Sequence, residues 1–286
     1  MQYNENARLD SSQVQSRGGG LGSGGGGRIA VGGIGGVIIL ILAMLFGFDA
    51  GALLGGTSSG PVAATNDFAA CKTGADIARN RDCRFVAYTN SIQDYWTKVL
   101  PGYEVTKTVI FSGQTSTGCG TATAQVGPFY CPADKLVYLD TSFFDQLTGQ
   151  LGAAGGDAAE AYVIAHEYGH HISDLTGVLD QVQAAGQQTG PNSPQVKLEL
   201  QADCYAGVWL RNSTNDANSP IAQLTQDDLD RAVDAAIAVG DDRIQANTSG
   251  RVDRESWTHG SSAMRKKWLA VGDQSGDPNQ CNTFTG

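Results

Sequence analysis

Three of the four histidines in this 286-residue chain lie within the stretch AHEYGHH, residues 165–171. Residues 166–170 read H-E-x-x-H. On a helix, His166 and His170 lie one turn apart on the same face, so both can bind one zinc ion. The intervening Glu167 then lies where it can take a proton from water that the metal activates. The pattern predicts a zinc-dependent hydrolase with His166 and His170 as metal ligands and Glu167 as the catalytic base.

A catalytic zinc site needs a third protein ligand. The class in which a third histidine follows the motif has Gly and His at the positions occupied here by Ser173 and Thr176, so that class is excluded. Asp174, one turn beyond His170, is one alternative, although a carboxylate at this offset is more often an exposed residue of the last helical turn.

A better third ligand is found on a second predicted helix, which carries Glu199 and Asp203 one turn apart. Apolar residues flank this pair, and a carboxylate pair on a buried helix needs partners. We therefore expect Glu199 to bind zinc. Asp203 would accept a hydrogen bond from the free N–H of a ligating histidine and so select its tautomer.

The remaining histidines have less specific surroundings. His259 precedes a predicted helix and is either a residue of that loop or a donor to the oxyanion formed when water attacks a carbonyl. Arg265 and the tyrosines are alternatives for that second role. His171 points about 100° away from His170 around the helix, which predicts a packing role or an outer hydrogen bond.

Periodicity predicts the elements that carry these residues. Ala161, Ala165, Tyr168 and Ile172 form one apolar stripe along the H-E-x-x-H helix, on the side opposite the two ligands. Ser193-Pro194 is a start signal for the second helix. Further helical patterns cover 68–100, 225–239 and 261–271, and β-rich runs cover 103–111 and 136–140. The sequence thus predicts a mainly helical α+β domain with a small sheet over residues 66–286.

The part before this domain differs in composition. Residues 18–27 are almost all glycine, within a segment 1–28 that we expect to be flexible. Residues 29–48 contain no charged side chain and are long enough to cross a bilayer as one helix, followed by a linker over 49–65. Arg8, Arg17 and Arg28 precede the span and Asp49 follows it. The positive-inside rule then places the N-terminus in the cytoplasm and the catalytic domain outside it.

Charge and cysteine usage agree with this expectation. The net charge is −10, which argues against a nucleic-acid partner. All six cysteines follow the apolar segment, and an even number in an oxidising compartment indicates disulfides. The sequence contains no CxxC pair, so it does not indicate a zinc ribbon. Six cysteines allow 15 connectivities, among which the sequence alone does not choose; proximity favours Cys71–Cys83 and Cys119–Cys131, which leaves Cys204–Cys281.

Several segments together resemble the bacterial neutral zinc metallopeptidases, which are membrane proteins with one span and a Gly-rich stretch before it. These segments are HEYGHH, ELQADCYAGVW, VYLDTSFF, THGSSAMR and QCNTF. The resemblance implies a zincin-like fold with the gluzincin ligand set. It assigns zinc to His166, His170 and Glu199, catalysis to Glu167 and an outer-shell position to Asp203.

We therefore expect a membrane-anchored zinc peptidase that hydrolyses peptides or proteins, with His259 supporting the transition state. Two alternatives remain open. One is a zincin-fold envelope scaffold with a structural zinc, which would leave Glu167 without a use. The other is a zinc hydrolase of a non-peptide amide, because the motif identifies water activation and not the bond that is cut.

Overall fold

The computed structural model describes residues 1–17, 64–65 and 67–285. The predicted membrane segment 29–48 and the Gly-rich stretch 18–27 lie outside the described residues. Among the residues that are described, no helix combines the length and the hydrophobicity needed to cross a bilayer.

The described chain is a mixed α+β fold, as expected. Its nine α-helices in the described part are α1 Asp76–Arg79, α2 Cys83–Val99, α3 Phe143–Gly149, α4 Asp157–Leu175, α5 Val178–Ala184, α6 Pro194–Asn212, α7 Gln226–Ala238, α8 Asp241–Ser249 and α9 Ser262–Ser275. Its strands are β1 Gln2–Tyr3, β2 Val14–Arg17, β3 Ala64–Thr65, β4 Thr108–Phe111, β5 Gln114–Thr117, β6 Gly120–Thr123, β7 Phe129–Cys131, β8 Leu136–Asp140 and β9 Ile221–Gln223.

Five of these strands form the main sheet, in the order β3-β2-β4-β8-β7. β2 and β4 are parallel, as are β4 and β8, whereas β7 runs antiparallel to β8 at one edge. Two small antiparallel pairs, β1 with β9 and β5 with β6, lie apart from it.

The N-terminal residues correct one expectation. Residues 1–17 were expected to be part of a flexible segment outside the domain, but β2 is an interior strand of the main sheet and β1 pairs with β9. Val14 and Leu9 are buried in a cluster with Phe68 and Ile77. The sequence did not predict β2 because a strand of four residues is too short for its alternating pattern to be recognised without its neighbouring strands.

Three of the predicted helix starts coincide with capping residues, of which Ser193 was recognised from the sequence. Ser193 caps α6 by accepting from Val196 N, and Ser261 caps α9 in the same way. Thr225 begins α7 with a capping box that includes Asp228.

Two of the sequence patterns are longer than the elements that form. The helical pattern 68–100 is divided between α1 and α2, because Asn80 has an extended conformation between them. The β-rich run 103–111 forms a strand only from Thr108. The run 136–140 coincides with β8.

Helices α4 and α6 cross at the centre of the domain, and a glycine allows their close approach. A Cβ on Gly169 would lie 2.7 Å from the Cα of Ala202 and 2.9 Å from its Cβ. Real Cβ atoms do not come this close to backbone, so a larger residue would push the helices apart. The side of α4 carrying the predicted stripe is buried: Ala161, Tyr168 and Ile172 are at most 1% exposed.

Three disulfides connect the pairs that proximity favoured: Cys71–Cys83, Cys119–Cys131 and Cys204–Cys281. The third joins α6 to the C-terminal end of the chain, 77 residues away, and the described residues include no free cysteine. All three predicted pairs are therefore confirmed.

Candidate metal centre

The two helices that cross at Gly169 bring together the three predicted ligands. His166 and His170 project from α4, Glu199 projects from α6, and all three side chains are buried. Nε2 of His166 lies 3.1 Å from Oε2 of Glu199, and Nε2 of His170 lies 3.5 Å from Oε1. The three ligand atoms lie within 4.8 Å of one another.

These distances can be tested against the geometry of a zinc site. Ligand atoms about 2.0–2.1 Å from zinc at tetrahedral angles are separated from each other by about 3.3 Å. Each histidine Nε2 lies near this distance from one carboxylate oxygen of Glu199, His166 at 3.1 Å from Oε2 and His170 at 3.5 Å from Oε1. Two imidazole nitrogens and one carboxylate are also the donor set of a catalytic zinc site with an open fourth position. The residues present therefore fit zinc.

Asp203 lies behind this cluster and is completely buried. Its Oδ1 accepts from Nδ1 of His166 at 2.9 Å, which leaves Nε2 directed at the ligand cluster. The hydroxyl of Tyr162 donates to the same oxygen at 2.6 Å. The guanidinium of Arg265 donates to both oxygens of Asp203, at 2.9 Å each. The predicted contact between Asp203 and a ligating histidine is thus present, and the charge of Asp203 is balanced by Arg265.

The second histidine has a different environment. Nδ1 of His170 is buried and has no hydrogen-bond partner among the described residues. Gln195 lies one turn before Glu199 on α6, and its amide donates to Oε1 of Glu199 at 3.4 Å. Gln195 and Tyr162 were not predicted, although each precedes a ligand by four residues, which is a spacing that could have identified them.

The electrostatics of the ligand cluster favour positive charge on His166 and negative charge on Glu199. Burial disfavours the charged form of His166, but the charge of Asp203 and the hydrogen bonds to Asp203 and Glu199 outweigh it and raise its pKa to about 9. Burial also opposes ionisation of Glu199, yet the charges of His170 and His259 hold its pKa well below the ordinary value. The centre is therefore an anionic carboxylate facing two imidazoles, which is an environment that favours a cation.

Glu167 is the next residue on α4, and it lines the same cleft as the three ligands. Its side chain is 8% exposed. Burial raises its pKa above the usual value for glutamate, although the nearby His166 and His170 oppose this shift. A carboxylate with a raised pKa at the edge of a metal centre suits a residue that must both accept and return a proton near neutral pH.

His259 also lines this cleft. Its Nδ1 lies 2.9 Å from the hydroxyl of Thr258 and 3.4 Å from Oδ1 of Asp241, a buried carboxylate at the start of α8. Oδ2 of Asp241 accepts from the backbone amides of Thr258, His259 and Gly260. Asp241 thus holds both the backbone and the ring of His259, a role that no sequence pattern indicated.

The competing residues lie elsewhere. Asp174, the alternative third ligand, accepts from the hydroxyl of Tyr130 at 2.6 Å and is not in the ligand cluster. His171 is buried, with Nδ1 3.1 Å from the same hydroxyl and Nε2 donating to the carbonyl of Glu104. The expectation of a packing or outer role for His171 agrees with these contacts.

Comparison with known proteins identifies the family of this chain. The chain is 48% identical over 254 residues to the uncharacterized protein Rv2575 of Mycobacterium tuberculosis, covering 85% of each chain. It is 40% identical over 287 residues to the uncharacterized protein YpfJ of Escherichia coli, covering 97% of each. No solved structure matches. A family profile described as "Putative neutral zinc metallopeptidase" matches residues 1–284, and the chain belongs to that family.

Proposed function

We propose that this protein is a zinc-dependent peptidase in which His166, His170 and Glu199 hold the metal and Glu167 is the catalytic base. One observation carries the proposal. Three buried ligand atoms with zinc spacing converge at the wall of an open cleft, and a fourth ionisable residue of the same helix lines that cleft. A zinc that serves only structure is normally enclosed by four protein ligands and has no use for such a residue.

Held by His166, His170 and Glu199, zinc would supply a Lewis acid that makes water more acidic and a carbonyl more electrophilic. The protein residues do the rest. Glu167 accepts the proton of the attacking water and transfers it to the leaving amine. His259, held in place by Asp241, donates a hydrogen bond to the oxyanion. Asp203 and Arg265 keep His166 in the tautomer whose Nε2 can bind metal.

The proposal extends to the location of the enzyme. Three disulfides join all six cysteines, and such bonds persist in oxidising compartments outside the cytoplasm. The catalytic domain therefore works outside the cytoplasm, and residues 29–48 are the candidate for attachment to the membrane.

The test uses the full-length protein with two single substitutions. Wild type should contain about one zinc per chain by elemental analysis and should cleave peptides in a mixed library. Glu199→Ala should lose zinc, whereas Glu167→Gln should keep zinc and lose cleavage, because the amide cannot accept a proton. Wild-type cleavage by Glu167→Gln would refute the mechanism. Stoichiometric zinc without cleavage of any peptide would direct the search to other amides.

A further inference from the structure

We propose that the cleft selects substrates by an apolar side chain next to the scissile bond. This inference rests on the proposed peptidase function and names the class of peptide it would cut. The evidence is the apolar composition of the cleft walls and the hydrogen bonds that Arg265 and the wall tyrosines already make within the protein.

Most of the surface around the metal centre is apolar, although the amide side chains of Gln146 and Gln150 also line the cleft. Val163 lies on α4, one turn before His166, and Phe129 lies on the edge strand β7. Leu151 follows α3, and Ile244 belongs to α8 on the other side. Three of these side chains, Val163, Leu151 and Ile244, are 6–7% exposed, so they present a small apolar surface to the cleft and are otherwise packed in the core.

The charged and hydroxyl groups in the walls already have partners. Arg265 donates to Asp203 with two nitrogens, and the hydroxyl of Tyr162 donates to Asp203 as well. The hydroxyl of Tyr130 donates to Asp174. Besides the metal ligands, the ionisable side chains of the described residues that line the cleft are Glu167, His259, Arg265 and the tyrosines, so a charged substrate side chain would find no further counter-charge there.

The size of the space indicates which apolar side chains fit. The cavity has a volume of about 110 Å³. A closed apolar cavity of about 150 Å³ accepts benzene, so this space suits a branched aliphatic side chain better than an indole. A leucine or methionine next to the scissile bond would bury its hydrocarbon against these walls, whereas an aspartate or lysine would lose its hydration without compensation.

A panel of otherwise identical peptides tests this selection. Each carries Leu, Ala, Asp, Lys or Trp at one of the two residues flanking the scissile bond, and kcat/KM is measured with the full-length zinc-loaded protein. One methylene in an apolar pocket changes selectivity about 10- to 200-fold, so Leu should exceed Asp and Lys by at least about tenfold at one flanking position. Equal cleavage at both positions would overturn the inference while leaving the peptidase function intact. Bound zinc with no cleavage of any peptide would overturn the proposed function, and the selection with it.

Ile244 provides a gain-of-function test. Ile244→Glu adds a carboxylate to the wall and should shift preference toward Lys at the same position, a change that a loss of folding would not produce. Ile244→Ala enlarges the cavity and should raise kcat/KM for Trp relative to Leu. Val252→Glu, at a side chain that is 50% exposed and outside the cleft, is the matched control and should change neither ratio. Unchanged ratios in both Ile244 variants, with zinc retained, would refute the assignment of this wall.

A different observation carries a second inference. We infer that residues 1–17 lie in the same compartment as the catalytic domain, because they are an integral part of its sheet. β2 pairs in parallel with β4 from Val14 opposite Thr108 to Arg17 opposite Phe111, and in antiparallel with β3, where Arg17 lies opposite Ala64.

Side-chain contacts around β2 are as extensive as its backbone pairing. The amides of Asn90 and Gln93, both buried on α2, donate to Oε1 of Gln13 at 3.0 and 2.8 Å. The backbone amide of Asp10 donates to Oδ1 of Asn90 at 2.7 Å. Buried amide groups need hydrogen-bond partners, and the N-terminal segment supplies them for these two side chains of α2.

The N-terminal contacts also reach the catalytic helix. The hydroxyl of Tyr3 lies 2.8 Å from that of Tyr88 and donates to Oδ2 of Asp157, the first residue of α4, at 2.9 Å. Hydrogen-bonded strands share one compartment. The prediction of a cytoplasmic N-terminus together with a catalytic domain outside the cytoplasm therefore does not fit this pairing.

Two epitope tags on the full-length protein test the arrangement in intact cells. One is inserted within residues 18–27 and the other follows residue 286. Labelling of both by an antibody that cannot cross the inner membrane, after the outer layers are opened, supports the inference. Labelling of the C-terminal tag alone, with the other accessible only after lysis, overturns it.

A second measurement examines the strand itself. The chain lacking residues 1–17 should lose thermal stability and zinc, and a synthetic peptide of residues 1–17 should restore both in solution. A scrambled peptide of the same composition is the control. Wild-type stability of the shortened chain would show that β2 is dispensable and would refute the structural part of the inference.

Discussion

The substitution Asp203→Asn gives the sharpest test of how the metal centre is built. Asp203 is completely buried and accepts from four donor atoms, on His166, Tyr162 and Arg265. Asparagine has nearly the same shape but no charge, and its amide would place hydrogens against groups that are themselves donors. The change therefore leaves the buried guanidinium of Arg265 without its counter-ion.

Two magnitudes follow from this arrangement. Breaking a buried ion pair by removing one partner costs about 3–5 kcal/mol, so the free energy of unfolding should fall by about that amount. Loss of the carboxylate behind a ligating histidine lowers metal affinity about 10- to 100-fold. Urea unfolding of the metal-free protein measures the first effect, and competition with a zinc chelator measures the second.

A matched control exists on the surface. Asp227 pairs with Arg231 on α7, and the two side chains are 72% and 37% exposed. Water screens an exposed pair of this kind, so Asp227→Asn should change neither quantity appreciably. The double change Asp203→Asn with Arg265→Met should recover part of the lost stability, because the uncompensated charge is gone. If Asp203→Asn kept wild-type zinc affinity and lost less than about 1 kcal/mol, the role assigned to this pair would be refuted.

Three further predictions test other parts of the site. Gly169→Ala should lower the free energy of unfolding by about 1–3 kcal/mol and weaken zinc binding, because the new methyl group would press against Ala202 and separate the helices that carry the ligands. A stable variant with normal zinc binding would contradict the close approach of α4 and α6 at Gly169. Zinc binding at pH 7 should release about one proton, because the pKa of metal-free His166 is raised to about 9 and the ring is protonated below that value. Calorimetry in two buffers of different ionisation enthalpy measures this release, and buffer-independent heats would refute it. His259→Ala should lower kcat by about 10²–10³ with zinc content unchanged, and Asp241→Asn should lower it less, because it only loosens the ring; equal kcat in wild type and His259→Ala would remove His259 from the mechanism.

Local sequence patterns were sufficient for the catalytic helix. The spacing of His166 and His170 follows from helix geometry alone, and so does the separation of the ligand face from the apolar stripe. The starts of α6, α7 and α9 were readable because a capping side chain bonds within its own first turn. The short-range disulfides were readable as well, because nearby cysteines are the ones a compact chain most easily brings together.

Only the tertiary structure decided which distant residues join that helix. In the sequence alone, Glu199 was weak evidence for a metal ligand, since a carboxylate pair at this spacing usually lies on a solvated helix face. It is close to the two histidines because Gly169 lets α6 approach α4. Asp241 carried no signal, because its partner lies 18 residues away in a loop whose path is set by packing. The first seventeen residues were assigned to a flexible segment, since a four-residue strand has no independent stability and forms only when β4 and β3 are present to pair with it.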